Sequence, residues 1–126
     1  MSKSKIIVTV LIISIAYACK KSTSTNFADE ATCTSTPTYS VDVAPILNAS
    51  CATPGCHDAS TKKEGIDLSS YTVAKNEFMK NNNALASVHH ASGVKAMPDG
   101  QAKLSDASIN KLDCWVKNGC PQWLLS

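Results

Sequence analysis

Two thiols and an imidazole crowd into seven residues at Cys51-Ala52-Thr53-Pro54-Gly55-Cys56-His57, and no other stretch of the chain concentrates so much ligand-forming chemistry. Thiols at such spacing serve as nucleophiles, as metal ligands or as the two halves of a disulfide. A Cys51–Cys56 disulfide suits an exported chain, where oxidised pairs are normal. Zinc held by Cys51, Cys56 and a His fits less well, because Cys56 and His57 are adjacent and point differently, so both rarely reach one tetrahedral ion. Further sulfur and imidazole donors follow at Met79, His89, His90 and Met97, and Cys19, Cys33, Cys114 and Cys120 complete the six cysteines. Bond-breaking machinery is not suggested: there is no Ser/His/Asp grouping, no phosphate loop and no carboxylate pair near the motif.

The rest of the 126-residue chain has to be read as the frame for these donors, and at that length it holds one domain at most. Its twelve basic residues are all Lys, against ten acidic ones. Without Arg or a strong positive balance, nucleic acid is not an expected partner. The N-terminus reads as an export signal over residues 1–18, with Lys3 and Lys5 ahead of an apolar run from Ile6 to Ile15. That run is too short to span a bilayer as a helix, which needs roughly 20 apolar residues. Ala16-Tyr17-Ala18 fits ordinary signal cleavage, while Cys19 directly after it resembles a bacterial lipobox, whose Cys is lipidated; both readings cut the same bond. A lipoprotein held to a bacterial membrane and facing the periplasm is the expectation, or a secreted protein if Cys19 is not lipidated. Lys3 and Lys5 leave with the signal, so ten Lys then face ten acids and attachment is by lipid, not charge.

Residues 19–38 read as the lipidated Cys and a flexible tether, since nine of the nineteen residues from Lys20 to Thr38 are Ser or Thr and no apolar periodicity runs through them. Such a stretch reaches on the order of 25 Å. From residue 39 to 126 apolar residues recur at helical spacing, and no alternation is long enough for a strand. Ser105 is positioned to cap a final helix over about Asp106 to Asn118, closed by Gly119 with Pro121 beyond, and Leu104 and Ile109 would form its hydrophobic staple. A first helix would start at Asp42 as N-cap, carry Pro45 in its first turn and bury Val43, Ile46 and Leu47. Ser70 to Lys80 and Ala84 to Ala91 are two shorter helical segments, followed by a loop to Leu104. The fold class is all-α, a small helical bundle.

The C-x4-C-H motif resembles the attachment site of c-type cytochromes, usually C-x-x-C-H, in which two thiols add to the haem vinyls and the adjacent His ligates the iron. Pro54-Gly55 is turn material able to bulge the two extra residues outward. The wider pattern is similar to the small cytochrome c domains of exported bacterial lipoproteins, particularly of Bacteroidetes type. It is carried by Val43-Ala44-Pro45-Ile46-Leu47, Gly65-Ile66-Asp67-Leu68-Ser69-Ser70-Tyr71, Met97-Pro98 and Trp115-Val116 with Gly119. The resemblance covers residues 39–121 and implies a cytochrome c-like bundle around one covalent haem c, in a monomeric electron carrier for redox proteins of the periplasm or membrane. It also implies Cys51 and Cys56 as thioethers and His57 as proximal iron ligand.

Met97, in a loop ahead of the final helix, matches the distal iron ligand of class I cytochromes c. His89 and His90 are competing distal candidates, about 100° apart on a helix so that at most one faces the iron. Met79 reads as core filler. A vacant position would instead suit a haem enzyme or sensor, and a cofactor-free, disulfide-stapled surface module is the third alternative. Of the remaining cysteines, a left-handed stop at Gly119 favours Cys114 with Cys120; Cys33 with either is the alternative. Leu47, Ile66, Leu68, Tyr71, Leu85, Val88, Leu104 and Trp115 are the expected wall of the haem pocket.

Overall fold

The computed structural model describes residues 25–80 and 83–124. The expected signal and the lipidation site at Cys19 lie outside them. Five α-helices follow in order: α1 (Phe27–Glu30), α2 (Ala44–Ser50), α3 (Tyr71–Lys80), α4 (Asn83–Val88) and α5 (Asp106–Lys117). A π-helical turn over Tyr39–Val43 leads into α2, and a 3-10 turn over Lys63–Gly65 precedes α3. Among the described residues there is no strand, and no helix is long and apolar enough to cross a membrane. The fold is all-α.

α5 organises the molecule. The Ser105 hydroxyl accepts from the Ser108 N–H at 3.2 Å and satisfies one of the donors every helix start leaves open. At the other end the Gly119 N–H donates to the Val116 carbonyl and the Cys120 N–H to that of Trp115, a left-handed stop with Gly119 at φ +79°. Between the caps, Ile109, Leu112 and Trp115 are buried on one stripe. Trp115 meets Phe78 of α3 edge-on and lies against Tyr39, while its indole N–H donates to the Pro121 carbonyl at 3.0 Å. Val43, Leu47 and Leu85 complete the interior around it.

The first helix starts later than its sequence signal. Asp42, expected as its N-cap, sits inside the π-helical turn and accepts the Thr38 N–H at 2.9 Å, so its carboxylate caps one turn earlier. Pro45 falls in the first turn of α2, where a missing N–H costs no hydrogen bond.

Two expectations for the N-terminal region are corrected. Residues 27–33 are packed against the body, and Pro37 and Thr38 are buried, so the segment is not a free tether throughout. Phe27 stacks on His89 at 4.0 Å, Ala28 is buried, the Lys117 ammonium donates to the carbonyls of Asp29 and Ala31, and Cys33 forms a disulfide with Cys114. Ser/Thr content misled because one aromatic and one half-cystine suffice to hold a short strap. The expected Cys114–Cys120 pairing is likewise replaced by Cys33–Cys114, with Cys120 a free thiol. The helix stop does form, but the two side chains diverge: Cys120 turns into the core with Trp115, whereas Cys114, one residue and about 100° round the helix, faces the strap.

Burial pushes the Cys120 thiol up to about 12 from its ordinary 9.0, with Lys75 acting weakly the other way. An unfolded chain releases this proton from about pH 9 while the folded one keeps it, so folding stability falls as pH rises through that window. Between pH 8 and about pH 10.5 the difference amounts to about 2 kcal/mol. Urea unfolding of wild type and Cys120→Ala at the two pH values is the check: the variant is expected to lose less stability by that amount, and identical pH dependence would remove Cys120 as its source.

Candidate functional site

The thiol and imidazole motif begins where α2 ends. The Cys51 and Ala52 N–H groups still donate to the Leu47 carbonyl, after which the chain loops out and returns with the His57 N–H on the Cys51 carbonyl at 3.0 Å. Pro54 and Gly55 stand at the exposed tip of this loop, whereas Cys51 and His57 are buried and Cys56 is half-buried. Gly55 has φ +84°, a backbone that disfavours side chains, and its N–H donates to the Thr61 hydroxyl. Cys51 and Cys56 are both free thiols, so no disulfide joins them. Burial, then the neighbouring Cys56, push the Cys51 thiol up to about 11, which keeps it protonated at neutral pH.

His57 is oriented from behind. Its Nδ1 lies 3.1 Å from the Lys63 carbonyl, and because a carbonyl only accepts, Nδ1 carries the hydrogen. In the neutral ring the lone pair is then left on Nε2, the arrangement typical of a metal-ligating imidazole. The His57 carbonyl in turn accepts from the Leu68 N–H at 2.8 Å, which fixes the motif to the segment leading into α3.

These groups open onto a cleft of about 330 Å³, within the size range of small-molecule and cofactor sites. Cys51, Cys56 and His57 line it together with Met97, forty residues further on in sequence. Ile66, Leu68, Phe78, Val88 and Pro98 give it apolar walls. Met97 is held to the last turn of α4 by its N–H, which donates to the Ser87 carbonyl at 3.0 Å. At the rim Asp99 bridges Lys63 at 3.6 Å and Lys95 at 2.6 Å, linking the Met97 loop to the motif side. The Lys95 ammonium holds the Asp99 carboxyl below its ordinary range, though a pair this exposed contributes little to stability.

No family model, curated protein or solved structure matches this chain. The reading of the site rests on its own chemistry.

Two soft thiols, one imidazole and one thioether around an apolar cleft would suit a c-type haem, with Cys51 and Cys56 as attachment points and His57 and Met97 as donors to its iron. Among the described residues no group of three His, Cys, Asp or Glu side chains is gathered as a metal site. The competing distal donors lie elsewhere. His89 points away from the cleft onto Phe27 and bonds Asp113 at 2.9 Å. That buried carboxyl is raised chiefly by desolvation, with His89 opposing. His90 bonds the Met97 carbonyl and is not among the cleft residues. Met79 is half exposed, contrary to its expected place in the core.

Of the expected wall, Ile66, Leu68 and Val88 line the cleft. Leu47, Tyr71, Leu85, Leu104 and Trp115 pack in or against the general core instead. Phe78, Ala84, Ser87 and Pro98 were missed. Phe78 was legible as apolar, but only packing shows that it serves both Trp115 and the cleft.

Proposed function

We propose that this chain is an exported, monohaem c-type cytochrome, lipid-anchored through Cys19 on the periplasmic side of a bacterial membrane, that carries single electrons between redox proteins of the periplasm or membrane. The observation that carries the reading is that Cys51, Cys56, His57 and Met97 line one apolar-walled cleft, with His57 Nδ1 occupied by the Lys63 carbonyl. In the proposal each thiol adds across a haem vinyl group, its sulfur bonding one carbon and its hydrogen passing to the other. A haem so held supplies reversible one-electron chemistry at iron. The chain's own contribution is to aim His57 Nε2 and the Met97 thioether into the cleft, to keep water from the apolar walls and to leave the neighbouring carboxylates at the rim. A soft thioether raises the reduction potential relative to two imidazoles.

The test is intact mass, thiol count and visible spectrum of the protein exported from a host competent in cytochrome c maturation. Counting residues 20–126, the denatured haem-loaded chain is expected to alkylate at one thiol, Cys120, and at three after reduction opens Cys33–Cys114. A cofactor-free chain with its one disulfide would give three and five. A far-red thioether-to-iron band, and a reduced spectrum unmoved by carbon monoxide, mark the electron carrier. A haem that takes carbon monoxide freely would instead mark the enzyme or sensor reading.

A further inference from the structure

α4 closes with an unusual residue. The Ala91 N–H donates to the Ala86 carbonyl at 2.9 Å and the His90 N–H to the Ser87 carbonyl at 3.1 Å, the paired bonds of a left-handed helix stop. The residue in the left-handed position is His90, at φ +56°. Glycine fills that position most easily, and Gly119 fills it at the end of α5. A strained residue where an easier one would serve points to a use for its side chain. From this backbone the His90 Nε2 reaches the carbonyl of Met97 at 3.1 Å. The carbonyl accepts, so Nε2 carries the hydrogen, as it does in the Nε2–H tautomer and in the imidazolium alike. Met97 also donates its own N–H to the Ser87 carbonyl, the same oxygen that receives the His90 N–H. Both peptide groups of Met97 are thereby tied to the last turn of α4, whose Ser87 and Val88 line the cleft.

We propose that His90 is a positioning residue that clamps Met97 at the cleft and sets how firmly its thioether is offered to the iron. This rests on the haem reading above. His90 acts through the backbone of Met97 and does not itself enter the cleft.

The experiment compares wild type, His90→Gly and His90→Gln as haem-loaded proteins, reading the far-red band, the affinity of the ferric protein for added imidazole, and the unfolding midpoint. His90→Gly removes the clamp while suiting the left-handed backbone, so imidazole is expected to bind about two- to tenfold more tightly with the midpoint held or raised. His90→Gln restores a donor and is expected to return the affinity towards wild type. Unchanged imidazole affinity in His90→Gly overturns the clamp, as does a loss of midpoint in parallel or a failure of Gln to recover the effect. A wild-type protein with haem but no far-red band removes Met97 as the ligand and the clamp with it. A colourless wild type overturns the haem reading itself.

Discussion

His57→Ala, and separately the pair Cys51→Ala with Cys56→Ala, are expected to yield a chain without covalent haem that loses its cooperative unfolding transition and accumulates on the order of tenfold less than wild type. The magnitude follows from the cleft. Ile66, Leu68, Phe78, Val88 and Pro98 turn apolar surface towards it from four separate segments of the chain. Leu68, Phe78 and Val88 are already almost wholly covered by the chain itself, so the further apolar surface a macrocycle would cover contributes on the order of a few kcal/mol, still a large share of a domain's stability of about 5–15 kcal/mol. In a body of about one hundred residues a macrocycle held in the cleft, as proposed, would be part of the interior. Calorimetry and intact mass of the two variants check this. A colourless variant that still melts sharply near the wild-type temperature would show that the helices need no cofactor to pack.

Cys33→Ala in the haem-loaded protein is expected to cost about 2–4 kcal/mol and to lower the melting temperature by roughly 10–20 °C. The disulfide spans 81 residues, and the chain-entropy estimate for closing a loop of that size is about 4.5 kcal/mol at most. Cys33 is the better partner to change, because Cys114 is buried and remains a small apolar side chain as a free thiol. Amide exchange over residues 27–33 should accelerate together with the fall in melting temperature, since only non-covalent contacts then hold the strap: Phe27 on His89, buried Ala28, the Lys117 bonds and the Asn110 amide on the Thr32 carbonyl. A melting temperature within about 2 °C of wild type would mean that these contacts suffice without the covalent link.

Local signals in the sequence carried far. Ser105 and Gly119 bound α5 because a cap and a left-handed stop are decided by neighbouring residues, and both act as their types imply. That Cys51, Cys56 and His57 share one cleft follows from their nearness in sequence, whereas Met97 beside them was expected only from the resemblance. What was not legible depended on which face of an element meets which. Leu47, Leu85 and Trp115 are as apolar as Ile66 and Val88, and nothing in their spacing separates core from cleft. The pairing of Cys33 with Cys114, and of His89 with Asp113 across 24 residues, required the packed α5 before either partner could be chosen. Ser/Thr richness hid the strap because Phe27, Ala28 and Cys33 are too few to form a pattern. At His90 the sequence lacks the glycine that marks many helix ends, so the end expected at Ala91 lies three residues beyond Val88, where α4 stops.

If Cys19 is the anchor, as proposed, the strap also sets how far the body reaches from its membrane. With packing established from Asn26 onward, only six residues of chain lie between the body and Cys19, in place of the nineteen that a start at Tyr39 would leave. Covalent geometry limits the seven Cα steps from Cys19 to Asn26 to about 24 Å. Anchored as proposed, the body is leashed to its own membrane. Collisions with a partner in that membrane then occur at an effective concentration in the millimolar range, without any need for strong mutual affinity. Delivery across a wide compartment would fall to the partner, and lengthening the leash, not sharpening a docking surface, would be the way to extend the circuit.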